Sequence, residues 1–150
     1  MALKNQSTLW NVYLFFARVW LGYSMIQGGQ SILRFFSSQE LRDFFVNWFG
    51  NELGFPQPLL MAFLAKGTEF TGGILLCLGL FSRISASLVG FVMLVATLTA
   101  NIDYSGKEGF IRQDGTVTIS ALLFACLILQ AGGGKFSLDN VLFRKKYKLI

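Results

Sequence analysis

Residues 59–80 read LLMAFLAKGTEFTGGILLCLGL, a run broken by only two charges, Lys66 and Glu69. A helix of this length crosses the hydrocarbon core of a bilayer, which takes ~20 apolar residues. Within it Ala62, Ala65, Lys66, Glu69, Gly72 and Gly73 recur on one face at helical spacing. Helices in lipid associate through small and polar residues, so that face points toward other helices. A charge at bilayer depth costs roughly 2.5–3.5 kcal/mol on insertion scales and persists where it pairs or lines a polar cavity.

Three more stretches have the same character, 9–29, 84–100 and 117–131. The last two are short for a span, and flanking Thr99, Asn101, Thr116 and Gln130 extend them. The first is preceded by only Lys4, carries Arg18 in its core and has no small-x-small cleavage pattern, so it reads as a retained helix. The expectation is an all-α, polytopic membrane protein: a four-transmembrane-helix bundle forming one domain over residues 1–150. Composition agrees, with 53% hydrophobic and only 14% charged residues and a mean hydropathy of +0.54. Soluble domains average about a quarter charged.

With four spans both termini share a side with the turn at 81–83. That side carries Lys4, Arg83, Lys135, Arg144, Lys145, Lys146 and Lys148; the other carries Arg34, Arg42, Lys107 and Arg112. The positive-inside rule puts both termini in the cytoplasm, with the chain in the inner membrane. The basic tail 135–150 reads first as this orientation signal and second as a lipid or partner contact; nucleic-acid binding would need such a patch on a soluble surface.

Between the first two spans, Ser37-x-x-Glu40 has capping-box spacing, and Leu41, Phe44, Phe45, Trp48 and Phe49 follow at i, i+3, i+4, i+7, i+8. Gly50 is expected to stop this pattern, and Pro56 and Pro58 precede the next span. The segment predicts a short amphipathic interfacial helix. It serves either as a lid over the bundle or as a plain anchor. Residues 102–115 read as an irregular loop.

Small residues on the other spans supply matching stripes: Arg18, Gly22, Met25 and Gly29; Ala86, Gly90, Thr97 and Asn101; Ala121, Ala125 and Gly132. Counting from the span ends at ~1.5 Å per residue brings Arg18 and Glu69 to the same depth, with Lys66 one turn away. Two cations against one carboxylate leave a positive surplus. A deprotonated Lys66, a partner chain, or an anionic or carbonyl-bearing ligand would neutralise it; a purely structural ion pair is the other reading.

The chain has no histidine, which removes His-ligated haem, zinc or copper and a His general base. Cys77 and Cys126 stand alone in apolar runs, so no metal site and no dithiol centre is expected.

Several motifs are together similar to one family. Arg18-x-x-x-Gly22 with Gln27-Gly28-Gly29-Gln30, the run from Glu69 through Gly72-Gly73 to Ser82-Arg83, and Gly134-Lys135-Phe136-Ser137-Leu138-Asp139 resemble DoxX proteins in order and spacing. The resemblance covers about 14–142. It implies a four-helix membrane fold and a small subunit associated with a quinol-linked or thiol-related membrane oxidoreductase complex. Many members carry His where this chain has Gln27 and Asn101, and Lys where it has Ser31, so proton or metal chemistry on those groups is not expected here. Gln27 and Asn101 can still hydrogen-bond a quinone carbonyl. Arg18 and Glu69 match the family's charged positions.

The candidate ligand site or polar core is therefore Arg18, Lys66, Glu69, Gln27 and Asn101, with Gly22, Gly72, Gly73 and Gly90 as packing positions. On an ideal helix Gln27 lies opposite Arg18, so one ligand does not meet both. No cofactor belongs to the chain itself; a bound quinone is the candidate. Expected partners are the lipid bilayer and another membrane or membrane-associated protein, or a second copy, with no nucleic acid. The alternative function is a non-enzymatic scaffold or assembly factor whose buried charges are structural. Whether the chain catalyses a reaction stays open at this level.

Overall fold

The structure, a computed structural model, describes residues 2–102 and 115–143. Among these residues six α-helices follow one another: α1 (Ala2–Gly29), α2 (Gln39–Phe45), α3 (Pro58–Leu78), α4 (Ser82–Ala96), α5 (Gly115–Ala131) and α6 (Leu138–Phe143). No strand occurs among the described residues. The loop expected at 102–115 falls mostly outside them, as does the basic end of the tail, 144–150.

Each boundary has a local cause. Pro58 starts α3 at a position where its missing N–H leaves nothing unpaired. Gly79, at φ +68°, ends the helix: its N–H donates to the Leu76 carbonyl (3.1 Å) and that of Leu80 to Leu75 (2.9 Å). Phe81 follows in the left-handed region at φ +49°, which a residue with a Cβ adopts only under support. Asp139 supplies it. One carboxylate oxygen accepts from the Phe81 N–H (2.6 Å) and the other from Ser82 (2.8 Å), so α6 caps the start of α4.

Helix α1 runs antiparallel to α3, α3 to α4 and α4 to α5, and Trp20 of α1 meets Phe124 of α5 at 5.0 Å between rings. The shared core is Leu21, Met25, Leu76, Ala86, Val89, Met93, Ala121, Ala125 and Ile128. Glycines let the backbones touch. A Cβ on Gly22 would lie 2.7 Å from the Gly73 carbonyl, one on Gly73 2.7 Å from that of Gly22, and one on Gly72 2.8 Å from Val89. Gly90 is looser, 3.3 Å from Ala125.

The segment before α3 differs from expectation in two details. Ser38, not Ser37, is the N-cap of α2, its hydroxyl accepting from the Leu41 N–H (3.3 Å). Gly50 does not stop the helix either, because α2 continues as a π-helical turn, Val46–Glu52, and the reversal comes at Gly54 (φ +73°). Phe45 packs with Phe35 and Ala62, and Leu41 and Phe49 lie against that cluster.

The exterior is apolar. Phe16, Trp20, Tyr23, Phe63, Ile84, Leu88, Phe91 and Leu123 are all exposed. Pro58–Leu78 and Ser82–Asn101 are long and apolar enough to cross a membrane by length and composition; Gly115–Ala131 is apolar but shorter, and α1 does not reach their apolarity.

Candidate functional site

The polar residues fall at three levels of the molecule. At one end, Arg18 is 1% exposed. Its guanidinium donates to the carbonyls of Gly133 and Phe136, the latter at 2.8 Å, inside the segment joining α5 to α6. The Gly132-Gly133-Gly134 run makes this approach possible. Gly132 and Gly134 have φ near +75°, and a Cβ on Gly133 would lie 2.5 Å from the Ser82 hydroxyl. A Cβ on Gly79 would strike the guanidinium itself, so Arg18 lies level with the end of α3. Asn11 fastens the same segment, accepting from the Lys135 N–H (2.9 Å).

Midway along, the Lys66 ammonium donates to Glu69 Oε2 at 2.8 Å. The side chains are 25% and 8% exposed, so the carboxylate is buried and the ammonium reaches out. Gly28 makes room for it, since a Cβ there would lie 3.0 Å from Glu69 Oε2. Gly29 lies against the backbone of Lys66 and Phe70. Along the exposed edge of α1, Gln30 donates to Gln27 (3.3 Å) and Gln27 to the Tyr23 hydroxyl (3.0 Å). One turn past Gly28, the Ser31 hydroxyl is buried with no hydrogen-bond partner among the described residues. Lys66 keeps two N–H donors, and Glu69 one oxygen, with no further bond among the described residues.

At the far end, Asn101 spends both amide hydrogens, on the Ala96 carbonyl (3.1 Å) and the Thr118 hydroxyl (2.8 Å). It ties the π-helical end of α4, Thr97–Asn101, to the first turn of α5.

Arg18 therefore does not pair with Glu69. Gly79, level with Arg18, lies ten residues along α3 from Glu69, or ~15 Å of helix. Counting depth from the ends of the apolar runs misplaced α1, because the helix extends past the end of α3, and Asn11 and Leu14 pack on the segment after α5. The register is set by Gly22 against Gly73 and Gly29 against Lys66 and Phe70, and those pairs were the usable signal. The expected positive surplus at mid-helix goes with the pairing. Lys66 and Glu69 form a balanced ion pair, and Arg18 is met by carbonyls and the nearby Asp139. The groups not anticipated are Gly133 and Phe136 as acceptors, Asp139 as a cap, and the glycines Gly28 and Gly29 against the ion pair. Groups of His, Cys, Asp and Glu able to hold a metal do not occur among the described residues.

All-helical over its described residues, with an apolar exterior and two helices long and apolar enough to cross a bilayer, the chain has the features of a membrane protein. The DoxX family model matches residues 13–102, and the chain belongs to the DoxX family. The match takes in Arg18, the Lys66–Glu69 pair and Asn101 and stops short of α5. No curated protein and no solved structure matches the chain.

Proposed function

We propose that the four long helices form a four-transmembrane-helix bundle in the inner membrane, with both termini cytoplasmic, acting as a small accessory subunit of a membrane oxidoreductase complex. Its working site is the α1–α3 seam at Lys66 and Glu69, with Gln27 and Gln30 beside it. The observation that carries this reading is the ion pair itself: a buried carboxylate holding a partly exposed ammonium whose remaining donors are uncommitted. A structural ion pair would more naturally be closed on both sides. A ligand carbonyl accepts from Lys66, and a hydroxyl, on a ligand or on a partner subunit's side chain, accepts from Lys66 and donates to Glu69.

A quinone is the cofactor that the resemblance implies, and the donor set fits one end of its ring. Lys66 would meet a carbonyl there. Bound, it would supply electron and proton exchange. Arg18 and Asn101 take no part, since both are committed elsewhere. A second reading, a non-enzymatic scaffold with structural charges, is favoured by Arg18 alone, which serves the fold.

The test is purification of the tagged chain from its own membranes in mild detergent, with mass spectrometry of what accompanies it. A copurifying dehydrogenase, oxidase or sulfur-handling enzyme, or a quinone, supports the accessory-subunit reading. Recovery of this chain alone, with no small molecule, rejects it.

A further inference from the structure

A cavity of about 320 Å³ opens beside α2, away from the ion pair, lined by Arg34, Ser38, Glu40, Leu41 and Phe44. Its size is that of a small-ligand site. One cation and one anion share its wall, yet among the described residues Arg34 and Glu40 make no ion pair and neither side chain has another partner. Ser38 accepts from the Leu41 N–H, which leaves its hydroxyl hydrogen free to donate outward. Leu41 and Phe44 give the cavity an apolar side, and Phe44, itself stacked on Trp48 at 6.0 Å, is exposed. The neighbouring Arg42 is not available, because it donates to the Phe35 and Phe36 carbonyls.

We infer that this cavity holds the headgroup of a zwitterionic phospholipid with a primary ammonium, phosphatidylethanolamine in chemical class. Arg34 grips the phosphate as a planar fork, with Ser38 as a further donor. Glu40 accepts from the ammonium, which a two-carbon linker keeps within a few ångströms of the phosphate. Leu41 and Phe44 line the glycerol and the first acyl carbons. The charge pattern selects the occupant. An anionic lipid would satisfy Arg34 and be repelled by Glu40, and a choline headgroup has no N–H for Glu40. The apolar wall selects a lipid over a soluble phosphate ester. The inference rests on the proposed membrane bundle and on the interfacial position expected of α2 from its sequence, and resistance of the chain to alkaline extraction checks the membrane setting separately.

Native mass spectrometry of the full chain in non-ionic detergent tests it, using phosphatidylethanolamine, phosphatidylglycerol and phosphatidylcholine of identical acyl chains. The wild type is expected to retain phosphatidylethanolamine about threefold better than either other lipid, a margin suited to exposed charge pairs. Arg34→Gln should lose that preference, and Glu40→Gln should shift it to phosphatidylglycerol. Both positions are exposed, and an unchanged thermal midpoint for each variant confirms that the fold is intact. Equal retention of the three lipids by the wild type, or an unaltered ranking in Glu40→Gln, would overturn the assignment. Equally strong binding of glycerophosphoethanolamine would overturn the lipid as its source.

Discussion

Arg18 and Lys66 are both cations within apolar helices, and their surroundings divide their roles. Arg18 donates to two backbone carbonyls over a hundred residues away in sequence, so it holds the segment after α5 onto α1. A lysine offers one point charge in place of a planar fork and does not bridge both. Arg18→Gln should therefore destabilise the protein by about 2–3 kcal/mol, the range for charged hydrogen bonds lost from a buried site. Thermal unfolding in detergent reads this directly. A double-mutant cycle between Arg18 and Glu69 should show coupling below about 0.5 kcal/mol, as for independent distant sites. Coupling well above that would mean the two charges do interact. For Lys66 and Glu69 the cycle should show clear coupling, because Glu69→Gln alone strands the ammonium.

At the scale of elements, much of the architecture was readable and the register was not. Helices α3 and α4 were legible from apolar length, and the small-residue stripe on α3 from its helical spacing. The start of α1 was not, because Leu9, Trp10 and Tyr13 are as apolar as the residues that face α3, although they are exposed. The continuation of α2 through Gly50 was hidden for a similar reason. Glycine usually breaks a helix, yet here a π-helical turn carries the backbone past it to Gly54. The Asp139 cap joins elements far apart in sequence, and no local pattern announces such a contact. Two element-level outcomes follow. Asp139→Asn, which weakens the cap on α4 and removes its favourable charge, should cost about 1 kcal/mol in thermal unfolding. Gly73→Leu should cost about 1–3 kcal/mol or prevent folding, since its side chain has no room against the Gly22 carbonyl and Ile26. A stable Gly73→Leu protein would contradict the close seam.

Over the whole molecule, the proposed site lies where the last turn of α1 meets the middle of α3, between the level of the Arg18 anchor and that of the Asn101 tie. Family membership makes the chain a membrane protein, and the proposed topology adds that both ends face the cytoplasm. Single-cysteine labelling of Cys-free protein in intact cells should leave tags at both termini unlabelled by an impermeant reagent until the membrane is opened. Labelling of either terminus in sealed cells would reverse the orientation. A neutral pair at the seam should keep the fold, because replacing both charges of a buried ion pair together is often tolerated. The most direct measurement compares what copurifies with the wild type and with the Lys66→Met/Glu69→Gln double variant, each extracted from its own membranes in mild detergent. The account predicts a double variant of near-wild-type thermal stability that loses the partner enzyme or quinone held by the wild type. A double variant that retains the same companions in the same amounts would contradict a working role for the seam.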